Sequence, residues 1–146
     1  MVAQINLKKL SDFEDKSLLL VDDDNPFRER LARAMEKKGF IVTQAEGVKK
    51  GIDSVKLKKP AFAVVDLRLG DGNGLEVVKE IQNSNTKSRI IMLTGYGNIP
   101  TAVAAVKEGA IDYLSKPADA DDVEKALLAD PNAKAQPPEN PMSADR

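Results

Sequence analysis

The 146-residue sequence contains no cysteine, no histidine and no tryptophan. Without cysteine there is no disulfide framework, no thiolate zinc site, no iron–sulfur cluster and no thiol redox switch. Without histidine there is no Ser-His-Asp or Cys-His catalysis, no imidazole metal ligand and no phosphohistidine made on this chain. A metal bound here must be held by oxygen, which selects hard ions such as Mg²⁺, Ca²⁺ or Mn²⁺. An excess of one charge is also missing. Lys+Arg 22 against Asp+Glu 23 leave a formal net charge of −1, so the bulk charge carries no footprint for duplex DNA or an anionic membrane. The N-terminal stretch MVAQINLKKLSDFEDK lacks the apolar core of a signal peptide, and no apolar run approaches the length of a membrane span. The expectation is a cytoplasmic protein with no membrane attachment.

What is present suits one α/β domain. A chain of this length buries roughly 68–70% of its unfolded surface, enough for a core without staples. From Ser17 onward, short apolar runs alternate with helical periodicity, the pattern of βαβ units and a parallel sheet. The strand candidates are Leu18–Val21, Ile41–Gln44, Ala61–Leu67, Arg89–Thr94 and Ile111–Leu114. They lack period-2 alternation, as strands buried on both faces do.

The helices between them have legible ends. Asp24 or Asn25 caps the first, with Pro26 in its first turn, Phe27, Leu31 and Met35 on one face, and Gly39 closing it. The second runs from Val48 to Leu57, ahead of Pro60. The third follows Gly74 with Leu75, Val78 and Ile81 on one face. The fourth starts near Pro100 with Ala102, Val103 and Val106 inward, and Gly109 ends it; the fifth covers Asp121–Ala129. Right-handed crossovers put helices on both faces of such a sheet, and ligands bind beyond the carboxyl ends of its strands. The segment Pro131–Arg146 holds four of the eight prolines and almost no large apolar side chains, so it cannot build a core.

The strand ends share one chemistry. Strand 1 ends in Asp22-Asp23-Asp24, strand 3 at Asp66, strand 4 at Thr94-Gly95, and strand 5 leads into Lys116-Pro117. Taken alone, the aspartate run is a turn and a helix cap, Lys116 a solvated charge, Thr94 an ordinary strand residue and Tyr113 a half-buried aromatic. Together they gather carboxylates that repel unless a cation intervenes, and a hard divalent ion is the natural partner; Mg²⁺ favours one or two carboxylates with waters and a phosphate oxygen. The stretch Gly70-Asp71-Gly72-Asn73-Gly74 has neither the Walker lysine nor the GxGxxG spacing, and reads as a flexible loop passing over Asp66.

Asp22-Asp23, Asp66, Thr94 and Lys116-Pro117, in this order on these strand ends, resemble the receiver domain of two-component response regulators. The resemblance spans about residues 16–129. The segments PFRERLARAMEKKGF, VVDLRLGDGNGLEVV and IIMLTGYGNIPTAVAAVKEGAIDYLSKPADADDV are similar to the RegA/PrrA/ActR group of redox-responsive global regulators. This implies an α/β, flavodoxin-like (βα)5 fold: a doubly wound parallel five-stranded sheet of strand order 2-1-3-4-5. It also implies a polar extension at 1–16, a receiver at 17–129 and a proline-rich linker or tail at 130–146. That group carries a Fis-type helix-turn-helix after its linker, and PPENPMSADR resembles the linker; the expectation is a receiver without its DNA-binding output, with a stand-alone receiver as the alternative.

By the same resemblance, Asp66 is the phosphoacceptor, and Asp23, Asp66 and the Arg68 backbone carbonyl ligate Mg²⁺ with Asp22 supporting the ion through water. Lys116 pairs with the acceptor and then with the phosphoryl group, Thr94 hydrogen-bonds it, and Tyr113 turns inward as the switch. Expected partners are a sensor histidine kinase as phosphodonor and a second copy of the chain, paired through the helix 4–strand 5–helix 5 face. DNA is reached only through the absent output domain. One departure stands out: where many receivers have Met-Pro, this chain has Leu69-Gly70, which loosens the loop carrying the metal-binding carbonyl. The competing reading is an aspartyl-phosphate hydrolase of haloacid-dehalogenase type with Asp22 as nucleophile, since Asp22-x-Asp24, Thr94 and Lys116 mimic its motifs. Against it, Asp121-Asp122 open a helix rather than follow a further strand, and no cap domain fits in this length.

Overall fold

The computed structural model describes residues 9–129, apart from 86, 96–98, 108 and 111. In chain order the elements are β1 (Ser17–Val21), α1 (Asn25–Lys37), β2 (Ile41–Ala45), α2 (Val48–Leu57), β3 (Phe62–Asp66), α3 (Leu75–Ser84), β4 (Arg89–Thr94), α4 (Ile99–Lys107), β5 (Asp112–Ser115) and α5 (Ala120–Leu128). The five strands are parallel, in the order β2-β1-β3-β4-β5. Between β3 and α3, Arg68–Leu69 and Gly72–Asn73 form a two-residue antiparallel ribbon. The flavodoxin-like doubly wound sheet is therefore present with the expected strand order.

The continuous apolar runs of the inner strands divide between two cores. Leu18 and Leu20, Phe62 and Val64, and Ile91 and Leu93 face one layer, with Leu31 and Met35 of α1 and Val123 and Leu127 of α5. Leu19 and Val21, Ala63 and Val65, and Ile90 and Met92 face the other, with Val55 of α2 and Val77, Val78 and Ile81 of α3. Side chains alternate across a strand, so a strand covered on both faces must be apolar at every position. That holds for Leu18–Val21 of β1, Phe62–Val65 of β3 and Ile90–Leu93 of β4, with the polar residues at the strand ends. It fails for β2, an edge strand paired only with β1, whose Ile41 is 66% exposed. β5, at the other edge, is half-buried.

Several local expectations shift. Asp24, not Asn25, caps α1: its side chain accepts the Phe27 N–H at 3.1 Å, and Pro26 follows in the first turn. Gly39 leaves that helix at φ 110°, where glycine is unstrained. α5 starts one residue early because the Asp119 side chain accepts the Asp122 N–H. Val103 is 41% exposed rather than inward, because α4 packs at the β4–β5 margin of the sheet, where only part of the helix is covered. The Ala102 side chain, Ile111 and residues 130–146 lie outside the described residues.

Ahead of β1, a single 3-10 turn (Leu10–Asp12) buries Leu10, and the Phe13 ring meets Phe62 edge-on at 5.1 Å. At the start of β4, the Arg89 guanidinium lies over the Phe13 ring and donates to the carbonyls of Leu127 and Ala129 at the end of α5. No helix among the described residues is long and apolar enough to cross a membrane.

Candidate phosphoryl-acceptor site

Asp22 follows β1, and its N–H donates to the Ala45 carbonyl at 3.1 Å. Its Oδ1 accepts the Asp24 N–H at 2.9 Å, turning the chain from strand into helix. Behind this turn sits Arg28, which is buried. Its Nη1 donates to the Asp22 carbonyl and to Asn25 Oδ1, both at 2.7 Å, and its Nε donates to Gln44 Oε1 at 2.9 Å. A buried guanidinium with three hydrogen bonds thus braces the segment that carries Asp22 and Asp23.

Asp66 is the last residue of β3. The chain then turns so tightly that a Cβ at position 74 would lie 2.2 Å from the Asp66 carbonyl oxygen, so only glycine fits there. Lys116 comes in from β5, its N–H donating to the Thr94 carbonyl at 2.8 Å. Its Nζ lies 3.0 and 3.3 Å from the two oxygens of Asp22 and 3.3 Å from Asp66 Oδ2, and 4.8 Å from the centroid of the Phe27 ring.

Asp22, Asp23 and Asp66 each bring a carboxylate oxygen within 4.8 Å of the others. Asp22 and Asp66 are buried and Asp23 is exposed. One ammonium faces three carboxylates, so the site lacks positive charge. A hard dication with oxygen ligands fits this donor set, and Mg²⁺ is suited because it keeps waters and needs only one or two carboxylates. Burial first, and then the neighbouring Asp22 charge, push the Asp66 carboxyl up to about 6, against the opposing pull of Lys116. Burial pulls the Lys116 ammonium down, but the Asp22 and Asp66 carboxylates outweigh it and hold it above the usual lysine range.

The remaining sequence candidates surround this cluster. Thr94 ends β4 fully buried, its hydroxyl donating to the adjacent Gly95 carbonyl at 3.2 Å rather than to a carboxylate. Tyr113 is half-buried against the α2–α3 core layer. The Arg68 N–H points at Asp66 Oδ1 over 3.4 Å. Sequence reasoning missed Arg28 and Phe27. Arg28 reads as one more charge on a charged helix, although its spacing of six residues from Asp22 places it beneath the turn.

A doubly wound sheet with an acidic triad and a lysine at its carboxyl edge defines a class of domains that take a phosphoryl group onto aspartate. Residues 18–128 match the response regulator receiver domain family, and the chain belongs to it. It is 64% identical over 132 residues to the photosynthetic apparatus regulatory protein RegA of Rhodobacter capsulatus, covering 90% of this chain and 72% of that one. With the acid tolerance regulatory protein ActR of Sinorhizobium medicae it shares 61% over 132 residues, covering 90% and 68%. Among solved structures it is similar to a Burkholderia pseudomallei response regulator holding a phosphorylated aspartic acid, a calcium ion and citrate. That match has a TM-score of 0.76 and 37% identity, covering 83% of this chain and 71% of the other. The chain is thus a receiver closely related to the RegA/ActR group, and its own chemistry is confined to its phosphorylation and dephosphorylation. Membership implies a cognate sensor kinase and dimerisation.

Proposed function

We propose that Asp66 is the phosphoacceptor. The observation that carries this reading is the division of labour between the two buried carboxylates. Both Asp22 oxygens are within reach of Lys116, one also accepts the Asp24 amide, and the side chain is sealed from solvent. Asp66 keeps 9% of its side chain open and, among the described residues, has a single ion-pair contact, through Oδ2. An Asp66 oxygen attacks the phosphorus of the donor, an O–P bond forms, and the bond to the donor's nitrogen or oxygen breaks with its electron pair leaving on the donor. Lys116 then has a phosphoryl oxygen to pair with and Thr94 a donor hydroxyl to offer. Asp23, Asp66 and the Arg68 carbonyl would hold Mg²⁺, with Asp22 beside them, and the ion would neutralise charge on the transferring group.

The input is a sensor histidine kinase, since the chain has no histidine to phosphorylate. The output is a RegA/ActR-type transcriptional response, with residues 17–129 as the receiver, 1–16 as a polar extension and 130–146 as a proline-rich linker or tail. Reorientation of Thr94 and Tyr113 biases α4 and β5 towards pairing through the α4–β5–α5 face, where Val103 is exposed. Moving an active form from about 1% to 99% takes roughly 5.5 kcal/mol, more than one hydroxyl bond and one ion pair supply, so dimerisation completes the switch. Incubation with Mg²⁺ and a small acyl or amido phosphodonor, followed by intact and peptide masses, tests the reading. One adduct on the Asp66 peptide, lost in Asp66→Ala, is expected; an adduct or phosphate release that survives Asp66→Ala and disappears with Asp22→Ala overturns it in favour of a hydrolase.

A further inference from the structure

The loop after β3 carries the Arg68 carbonyl and has glycine at 70, where a proline would fix the backbone. The structure nevertheless holds this loop from outside the crevice. Asp71 reaches across to the start of α2, where Oδ1 accepts the Val48 N–H at 2.7 Å and Oδ2 the Lys49 N–H at 3.1 Å. α2 has no cap of its own, because its N-cap is Gly47. A Cβ on Gly47 would lie 2.6 Å from Asp71 Oδ1, so glycine at 47 is what admits the carboxylate. These two amides hold the Asp71 carboxyl below the usual carboxylate range, as expected of bonds that favour the charged form. Leu69, buried, pins the loop at the other end, and the Gly74 N–H closes it onto the Leu67 carbonyl at 2.8 Å.

We propose that Asp71 is a positioning residue of the divalent-cation site: by latching the β3–α3 loop to the first turn of α2 it sets the Arg68 carbonyl, the restraint that position 70 lacks. The inference rests on the cation site proposed above and adds to it a residue that touches neither ion nor phosphoryl group. It also revises the reading of residues 70–74 as a flexible loop, because a bidentate carboxylate bound to two amides of another element fixes the loop in place.

The test is a Mg²⁺ titration of the isotope-labelled protein followed by amide shifts, with hydrogen exchange of the Val48 and Lys49 amides measured on the same samples. Asp71→Ala is expected to weaken Mg²⁺ by about tenfold, as loss of an outer support of a metal site does, and to speed exchange at both amides. Gly47→Ala, which puts a methyl where the carboxylate sits, gives the same loss with Asp71 intact. Adding Gly70→Pro to Asp71→Ala restores the affinity but leaves the two amides fast. At position 70 the backbone is outside the left-handed region and an added Cβ would meet Asp23 Oδ2 at 3.5 Å, ordinary contact. Wild-type Mg²⁺ affinity in Asp71→Ala with fast amides at 48 and 49 overturns the proposal, leaving a helix cap and nothing more. A loss that Gly70→Pro does not repair overturns it too, because the loop is then not the route. Asp23→Asn separates the two readings: undiminished Mg²⁺ binding in that variant overturns the cation site itself.

Discussion

Replacing Asp66 by asparagine is expected to make the metal-free protein more stable while removing the proposed phosphoacceptor. Burial and the Asp22 charge raise the Asp66 carboxyl from its ordinary 3.8 to about 6. At about 1.4 kcal/mol per unit, the difference of roughly two units amounts to about 3 kcal/mol. The sign follows from which state holds the proton. Below the ordinary value, folded and unfolded chains both carry it and there is no penalty. Between that value and about 6, the unfolded chain ionises while the folded one keeps its proton, so stability falls as pH rises. Above about 6 both are ionised and the whole penalty is present. Asparagine has no charge to desolvate, and Lys116 keeps its partner Asp22 at 3.0 Å. In EDTA, urea unfolding followed by far-UV ellipticity should place Asp66→Asn about 3 kcal/mol above wild type near pH 7.5, narrowing to about 1 kcal/mol near pH 4.5. With Mg²⁺ at about a hundred times its dissociation constant, wild type regains roughly 2.7 kcal/mol and the gap almost closes. An asparagine variant no more stable than wild type at the higher pH, or a gap that ignores pH, would refute the reasoning.

Lys116→Met removes the ammonium shared by two buried carboxylates. The Asp66 proton should then leave above about 6, in a carbon-13 carboxyl titration, and phosphorylation by a small donor should slow by about a hundredfold. Arg28→Met leaves the Asp22 carbonyl, Asn25 Oδ1 and Gln44 Oε1 without their donor, and urea unfolding should show a loss of about 2–3 kcal/mol. Gly74→Ala drives a methyl towards the Asp66 carbonyl oxygen and Val65 Cγ1, so a loss of at least about 2 kcal/mol is expected, together with weaker Mg²⁺ binding in the same titration.

The carboxylate–lysine cluster was legible because a parallel sheet brings strand ends together whatever their separation in sequence. Asp22, Asp66 and Lys116 lie 44 and 50 residues apart, yet each follows or ends a run of apolar residues, and the crossover rule sends all three to one edge. The strand order itself came from the family resemblance, since periodicity does not say which strand lies beside which. Ile41 misled for a related reason: an apolar residue in a strand reads the same whether the strand is central or at an edge. Val103 misled because an alanine-rich helix is apolar around much of its circumference, leaving its covered stripe undefined. Asp71 stayed hidden because its partners are backbone amides, present at every position and so invisible to any pattern of side-chain types; Arg28 stayed hidden because it joins a backbone carbonyl to Asn25 and to Gln44 on the next strand, partners no periodicity pairs with it.

β4 has a fixture at each end. At its carboxyl end is Thr94, whose carbonyl receives the Lys116 amide; at its amino end Arg89 clasps the last carbonyls of α5 and the ring of Phe13. Between them Ile90, Ile91, Met92 and Leu93 are wholly buried. Six residues of strand span roughly 20 Å, and a close-packed interior resists compression. The strand therefore acts as a stiff rod running from the pole where the carboxylates meet to the pole where α5 ends. One strand, wholly buried between its ends, thus joins the turn that receives Lys116 to the end of α5 without passing through an outer helix.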